Sequence, residues 1–231
     1  ITIAEQSFDL INLIHVGMEV TGPGLPAGTF VTGKFQNQIL LSQPATTTVN
    51  NQRYAFSSNT SFVQTGTGTT VLSGNNVYTG QTYVHGGVLR LDSSGAIPGG
   101  ITAGASASSS SPIIVKNGVI GLGVENFTRS LGSGRNQIEF KGNGGFAAYG
   151  ADRRVDFGGL GTSFRMRFGN DGFVLDGSSL ILGAADATHK VIMANELDLG
   201  SFSQAVRVVD GPADVEGELA GAMSGLGKLV K

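Results

Sequence analysis

Short runs of alternating apolar and polar residues recur along this chain, and most are bounded by glycine, proline or asparagine. This alternation predicts half-buried β-strands, and the bounding residues predict turns. The spacing of apolar residues comes closest to a helical period over 3–18. The β-branched residues in this segment make a strand or a short turn an equally good interpretation. The predicted strands are 18–21, 29–32, 38–42, 53–57, 69–73, 81–85, 88–92, 113–116, 119–122, 137–141, 146–149, 154–157, 163–168, 173–176, 179–182, 190–193, 196–199, 205–210 and 215–220.

Many short strands separated by glycine turns are compatible with a sandwich, a barrel or a solenoid. Glycine pairs next to strands, such as Gly86-Gly87 and Gly144-Gly145, predict corners, and this rhythm favours the solenoid. A single rung leaves its apolar face bare, whereas rungs stacked at ~4.8 Å bury a continuous core. We therefore predict an all-β fold, with a parallel β-helix of about seven rungs of ~20–25 residues. The β-helix occupies 63–231 and follows a small β-rich unit at 1–62.

Composition supports a folded chain built from many turns. Glycine accounts for 37 of 231 residues, 40% of residues are hydrophobic and only 14% are charged, which is unlike a disordered chain. The net charge of −2 gives no electrostatic attraction to nucleic acid or to an anionic membrane. No apolar run approaches the ~18 residues of a membrane-spanning helix. The absence of cysteine excludes disulfides and thiolate metal sites.

One stretch of small residues, from Ala103 to Pro112, interrupts the strand pattern. Alanine, serine and glycine side chains offer little apolar volume, so we predict a loop that bulges from the solenoid and holds no core position.

Residues that carry common catalytic or metal-binding chemistry are scattered. The three histidines, His15, His85 and His189, are far apart and form no metal-binding spacing. No serine lies in a nucleophile elbow, and no glycine-rich segment continues into the Gly-Lys-Ser/Thr of a phosphate loop. We expect no catalytic, cofactor or metal site.

Carboxylates need separate consideration because many β-helices cleave polysaccharides. The reaction needs two carboxyl groups held ~5–9.5 Å apart, and the clustered candidates are Asp152, Asp156, Asp171 and Asp176. Residues 164–168 alternate like a half-buried strand, which places Arg165 and Arg167 on the solvent face. We interpret the cluster as a solvated charge ladder, with these arginines paired to Asp156 or Asp152 on adjacent rungs. A ligand-binding face and a catalytic site remain alternatives.

Residues 65–91 resemble the autotransporter-associated β-strand repeat, whose pattern combines spaced glycines with Asn, Tyr and Thr. The matching positions, which we take as the structural motif, are Gly66, Gly68, Gly74, Asn76, Tyr78, Gly80, Thr82 and Gly87, joined by the apolar residues Val71, Val84 and Leu89. The glycines suit sharp corners, and the asparagine suits a turn or a ladder between rungs. We expect Val71, Tyr78, Val84 and Leu89 to fill the core.

Further segments resemble parts of giant bacterial surface proteins that carry this repeat, namely 127–159, 180–200 and 217–231. Residues 16–57 resemble a separate small β-repeat. The resemblance implies a right-handed parallel β-helix, export from the cell and display at its surface. In that family a segment like 217–231 leads into another repeat, so we expect further repeats or another subunit to follow this chain end to end.

The function we predict is a non-enzymatic component of an extracellular fibre, stalk or layer that assembles by end-to-end stacking. The first alternative is an adhesin or glycan-binding passenger domain that contacts surface glycans, with Tyr83 and Tyr149 as candidate contacts. The second is a polysaccharide-degrading enzyme that uses Asp156 or Asp171.

Overall fold

The computed structural model describes residues 14, 18–36, 38–50, 52–57, 61–104 and 110–231. These residues form β-strands and turns, and helix among them is confined to two 3₁₀ segments, Phe157–Gly159 and Gly161–Ser163. The prediction of an all-β fold is therefore confirmed. The ambiguous segment 3–18 lies almost wholly outside the described residues, as does His15.

The chain divides into two compact units. The first contains Ile1–Phe62 and Tyr78–Gln81, and the second contains Val63–Val77 and Thr82–Lys231. The predicted boundary between independent domains at 62 and 63 stays a prediction.

Two antiparallel strand pairs form the described part of the first unit. Strand β1 (Glu19–Thr21) pairs with β4 (Ala55–Ser57), and β2 (Val31–Phe35) pairs with β3 (Gln38–Leu41). Val20, Val31 and Ile39 from these strands form a small core together with Ile14. The alternation that predicted these strands follows from this single buried face.

Four sheets build the second unit. Sheet I has seven parallel strands in the order β22 (Lys228–Val230), β19 (Ser203–Val208), β16 (Ser179–Leu182), β13 (Gly144–Ala148), β10 (Gly118–Leu122), β8 (Val88–Leu91) and β6 (Thr69–Leu72). Sheet II has the order β11 (Ser130–Leu131), β12 (Gln137–Phe140), β9 (Ile113–Val115), β7 (Thr82–His85) and β5 (Phe62–Thr65). Sheet III contains β14 (Arg153–Val155), β17 (Val191–Met193) and β20 (Gly217–Leu219), and sheet IV contains β15 (Arg165–Arg167), β18 (Glu196–Asp198) and β21 (Met223–Ser224).

The strands of sheet I follow chain order, so each pairs with the equivalent strand of the next rung. Thr69 lies opposite Val88, an offset of 19 residues, and Gly144 lies opposite Leu180, an offset of 36 residues. These offsets vary more than the predicted 20–25 because some turns carry long insertions, such as the segment between β8 and β9. The arrangement of long parallel sheets is compatible with a β-helix.

Aligned apolar residues fill the interior of the second unit. Leu89, Ile120, Phe146 and Leu182 occupy neighbouring positions on four successive strands of sheet I, and all are at most 2% exposed. Edge-to-face and tilted aromatic contacts extend this column, with ring centroids 5.0–6.5 Å apart among Phe127, Phe140, Phe146, Phe157 and Phe173. Burial of such large side chains provides the main stabilisation of stacked rungs.

A second apolar cluster covers the outer face of sheet I. It contains Val88, Val119, Ala147, Tyr149, Ile181, Ala184 and Ala187. Strands β10 and β13 are consequently buried along their whole length. This explains their continuous small and apolar sequences, because a strand buried on both faces has no reason to alternate.

Most predicted strands coincide with or overlap an observed strand, but three local predictions are wrong. Residues 173–176 form a turn region, in which Phe173 is buried as a core residue. Ser110 and Ser111 are buried, although we predicted no core position in 103–112, of which 105–109 lie outside the described residues. Val71 is 46% exposed and does not fill the core. The unpredicted strands are β5, β11, β21 and β22.

Candidate functional site

Only some of the motif glycines have a local structural requirement. Gly66 and Gly87 have positive φ angles of 82° and 59°, and a Cβ at Gly87 would overlap the carbonyl oxygen of Gly68. Gly68 and Gly74 are different, since a Cβ at either position would meet nothing within 4 Å. Gly80 is buried. The corner between β7 and β8 thus depends on a glycine at 87, whereas 68 and 74 have room for a side chain.

The polar motif residues make contacts along the coil. Asn76 donates from Nδ2 to the carbonyl oxygen of Ala96 at 2.9 Å, which connects it to the following rung. Thr82 is fully buried, and its Oγ1 lies 2.9 Å from Oγ of Ser111. The Tyr78 ring stacks on Phe62 with centroids 6.5 Å apart. These contacts are structural and form no reactive arrangement.

An asparagine ladder, not identified from the sequence, connects three consecutive rungs. Asn143 Nδ2 donates to Asn117 Oδ1 at 3.0 Å, and its Oδ1 accepts from the backbone N–H of Ser179 at 2.8 Å. Both asparagines precede a glycine at a corner, which is the local signal that could have identified them. The ladder fixes the register of sheet I where β10, β13 and β16 begin.

Arg129 is a fully buried cation that sequence reasoning also missed. Its guanidinium donates to the carbonyl oxygens of Ser111 at 2.5 Å, of Pro98 at 2.9 Å and of Gly100. These carbonyls lie at the two ends of the insertion between β8 and β9. The guanidinium therefore holds both ends of the insertion against residue 129, a role that its planar fork of donors suits.

The clustered carboxylates are mostly occupied by structural contacts. Asp156 accepts from the N–H of Gly161 at 2.8 Å and from Asn195 Nδ2 at 3.1 Å, while Asp152 accepts from the N–H of Lys190 at 3.1 Å. Asp176 accepts from Gln204 Nε2 at 2.9 Å. These bonds brace loops, and both bonds to Asp156 are accepted by its Oδ1, while its Oδ2 lies 3.9 Å from Arg154 Nε.

The predicted exposure of both arginines in 164–168 agrees with β15, in which Met166 is buried between them. The expected partner of Arg165 is wrong, because its Nε lies 3.3 Å from Oε2 of Glu196. These two residues lie opposite each other on β15 and β18, so the pair bridges two rungs. A second such pair joins Lys190 and Glu218 at 2.6 Å.

The described histidines lie apart. His85 packs edge-on to Tyr83 with centroids 5.5 Å apart, and desolvation, followed by repulsion from Lys116, lowers its pKa below the usual value. Nδ1 of His189 lies 2.9 Å from Thr188 Oγ1. Within the described ranges, no three His, Asp or Glu side chains come close enough together to hold a metal ion.

A polar network crosses the outer face of sheet I. Tyr149 donates from its hydroxyl to Asp186 Oδ1 at 2.6 Å, and Thr69 donates to Asp186 Oδ2 at 2.9 Å. Arg90 lies 4.5 Å from the centroid of the Tyr149 ring and contacts Asp92 at 2.7 Å. Desolvation and the bond to Asp186 raise the pKa of Tyr149 well above its ordinary value. Each of these polar groups has a partner, so the network ties the segment after β16 to the sheet.

Tyr83 and Tyr149, the residues considered as glycan contacts, are 5% and 1% exposed. Neither ring presents a face to a ligand. That choice of contacts is wrong.

A broad open groove of about 750 Å³ lies beside the insertion between β8 and β9. Its lining residues are mostly glycines and polar residues, and none of them is aromatic. The residues are Asn75, Ser94, Gly95, Gly99, Gly100, Thr102, Val124, Glu125, Asn126, Thr128 and Arg153.

Comparison with known proteins identifies one segment. Residues 62–91 match the family model described as passenger-associated-transport-repeat, which confirms the predicted resemblance over 65–91. The repeat indicates a segment of passenger type. No curated protein and no solved structure matches the chain. A search of the described residues also found no helix long and apolar enough to cross a membrane.

Proposed function

We propose that this chain is a structural segment of the passenger of an exported protein, a right-handed parallel β-helix that serves as part of an extracellular fibre, stalk or layer. The observation that carries the proposal is the passenger-type repeat at 62–91 leading into parallel sheets, of which the largest, sheet I, follows chain order from rung to rung. Passenger segments lie outside the cell, which supports an extracellular or cell-surface location.

The edges of the coil support end-to-end assembly. Strands β20, β21 and β22 are each the last strand of their sheet. Apolar side chains beside them are exposed, with Met223 at 54%, Leu226 at 91% and Val230 at 50%. Unpaired strand edges readily accept further strands. The next rung comes from further repeats of a longer chain or from a second copy of this one.

Stacking is testable with the chain itself. Electron microscopy at increasing concentration should show rods longer than a single coil. The double substitution Met223→Lys and Val230→Lys places charges at the edge and should shorten these rods. Leu160→Lys, at a residue that is 57% exposed within a loop, is the matched control. Dispersed single coils at every concentration, or equal shortening by the control, would refute self-stacking.

The same segment is proposed to be non-enzymatic. Support comes from the carboxylates, since Asp152, Asp156 and Asp176 accept hydrogen bonds that brace the backbone or a neighbouring side chain. Incubation with a panel of polysaccharides should leave chain lengths unchanged. Cleavage that disappears in Asp156→Asn or Asp171→Asn would overturn this part of the proposal.

A further inference from the structure

The groove beside the insertion between β8 and β9 offers hydrogen-bonding groups that the fold does not use. The hydroxyls of Ser94 and Thr102 and the carboxylate of Glu125 line it and make no hydrogen bond or ion pair within the described part of the chain. A binding site differs from a simple depression because polar groups that the fold does not use converge on its concave surface.

Two asparagines add oriented donors to the same surface. Oδ1 of Asn75 accepts from Ser93 Oγ at 2.9 Å, and Oδ1 of Asn126 accepts from the N–H of Arg154 at 2.8 Å. Because each oxygen is fixed, each Nδ2 is left as the group available to a ligand. A Cβ at Gly95 would overlap Asn75 Oδ1, so the bare glycine permits this position of the amide.

The charge in the groove is balanced. Arg153 donates to the carbonyl oxygens of Val124 at 2.9 Å and of Gly123 at 2.5 Å, so both terminal nitrogens of its guanidinium are bonded to the backbone. Glu125 supplies the one carboxylate of the lining. A polyanion such as a nucleic acid or a polyuronate finds no excess of positive charge here, and a polycation finds only a single carboxylate.

The shape and the lining of the groove indicate which class of neutral ligand fits it. An open trough of about 750 Å³ cannot enclose most of the surface of a small molecule, whereas it can contact one side of a chain. An extended peptide needs apolar pockets for its side chains, and Val124 is the only large apolar residue in the lining. Amides, hydroxyls and a carboxylate match the alternating donors and acceptors of sugar hydroxyls.

We propose that this groove binds a neutral oligosaccharide chain, with Glu125 accepting from sugar hydroxyls and Asn75 and Asn126 donating to sugar oxygens. Ser94 and Thr102 complete the contacts from the insertion. None of the lining residues belongs to β20, β21 or β22, the strands whose edges are proposed to stack.

Titration of the chain followed by NMR tests the proposal. The neutral probes are maltohexaose and cellohexaose, compared with a hexagalacturonate and a neutral Gly-Ser peptide of similar length. At millimolar concentrations a neutral hexasaccharide should shift the amide signals of Ser94, Thr102 and Asn126. Glu125→Gln keeps the side-chain volume and should weaken this binding about tenfold, the effect of losing one charge-assisted hydrogen bond.

The matched control is Asp214→Asn, which makes the same change of charge at an exposed residue away from the groove. It should leave binding unchanged, and circular dichroism should show that both variants are folded. Ser94→Ala with Thr102→Ala gives a second, independent loss of binding. The proposal is overturned by the absence of shifts with both neutral sugars, by tighter binding of the galacturonate or the peptide, or by unchanged binding in Glu125→Gln.

Discussion

Replacing Arg129 by alanine removes a side chain that bonds to both ends of the insertion between β8 and β9. The residue is 0% exposed, and its guanidinium donates to three carbonyl oxygens. The alanine variant has no donor at this place. The carbonyl oxygens of Ser111 and Gly100 lose the bonds they receive from Arg129, whereas that of Pro98 keeps a bond from the N–H of Ser111 at 3.0 Å.

The expected cost follows from these losses. A hydrogen bond to a charged group contributes ~1.5–3 kcal/mol, and a buried acceptor without a donor costs ~1–3 kcal/mol. The alanine variant no longer carries the cost of burying a charged guanidinium, and this gain offsets part of the lost hydrogen-bond energy. We therefore expect Arg129→Ala to lower the free energy of unfolding by about 3–5 kcal/mol, a large part of the ~5–15 kcal/mol typical of a folded protein. Arg129→Lys should recover about half, because one ammonium cannot reproduce the planar fork.

Urea unfolding followed by far-ultraviolet circular dichroism measures this change. Cleavage by an elastase-type protease, which cuts after small residues, reports the release of the insertion at 103–112. Arg207→Ala is the control, because Arg207 is exposed and forms no ion pair in the described ranges, and its cost should stay within ~0.5 kcal/mol. Equal unfolding midpoints for the two alanine variants, or protection of the insertion in Arg129→Ala, would refute the assigned role.

Three further predictions concern the corners and the outer face. Gly87→Ala should destabilise the coil by about 2 kcal/mol or more in urea unfolding, since φ is positive and the Cβ would overlap backbone, whereas Gly74→Ala should be nearly neutral. Asn143→Ala should cost about 1–3 kcal/mol in the same assay by leaving the N–H of Ser179 without its acceptor. Burial raises the pKa of Tyr149. The contribution of the Tyr149 hydroxyl to the free energy of unfolding should therefore be complete below pH 10 and be lost as the pH rises above 10, and Tyr149→Phe should not show this loss.

Controls separate these effects from general damage. Asn170→Ala removes an exposed amide whose side chain makes no hydrogen bond within the described residues, and it should leave the unfolding midpoint unchanged. Equal costs for Gly87→Ala and Gly74→Ala would contradict the assignment of the corner. An alkaline loss of stability that is as steep in Tyr149→Phe as in the parent chain would exclude the Tyr149 hydroxyl as its source.

Local patterns predicted most strands because the chain changes direction at glycines that the sequence displays. Strand β8 illustrates this, since Leu89 and Leu91 face the core and glycines precede it. Residues 173–176 show the limit of the method. Phe173 and Val174 look like a strand because they are apolar, but they are buried within a turn by contact with Phe140 and other rungs.

The candidate site was less predictable than the fold. Tyr83 and Tyr149 attracted attention as aromatic residues, and both are buried. The groove instead combines Asn75, Ser94 and Glu125 from separate turns, each unremarkable in its own stretch of sequence. No periodicity connects such residues, because their proximity depends on the offset between rungs.

By itself the sequence determined that this protein is all-β, that glycines mark its corners and that residues 65–91 carry a passenger-type repeat. These are properties of short segments, in which side-chain alternation and backbone freedom act over a few residues. Only the tertiary structure decided which polar residues are buried, such as Arg129 and Asn195, and which turns line the groove. The reason is that parallel stacking brings together residues 19 to 36 positions apart, and the length of each intervening turn sets which of them meet.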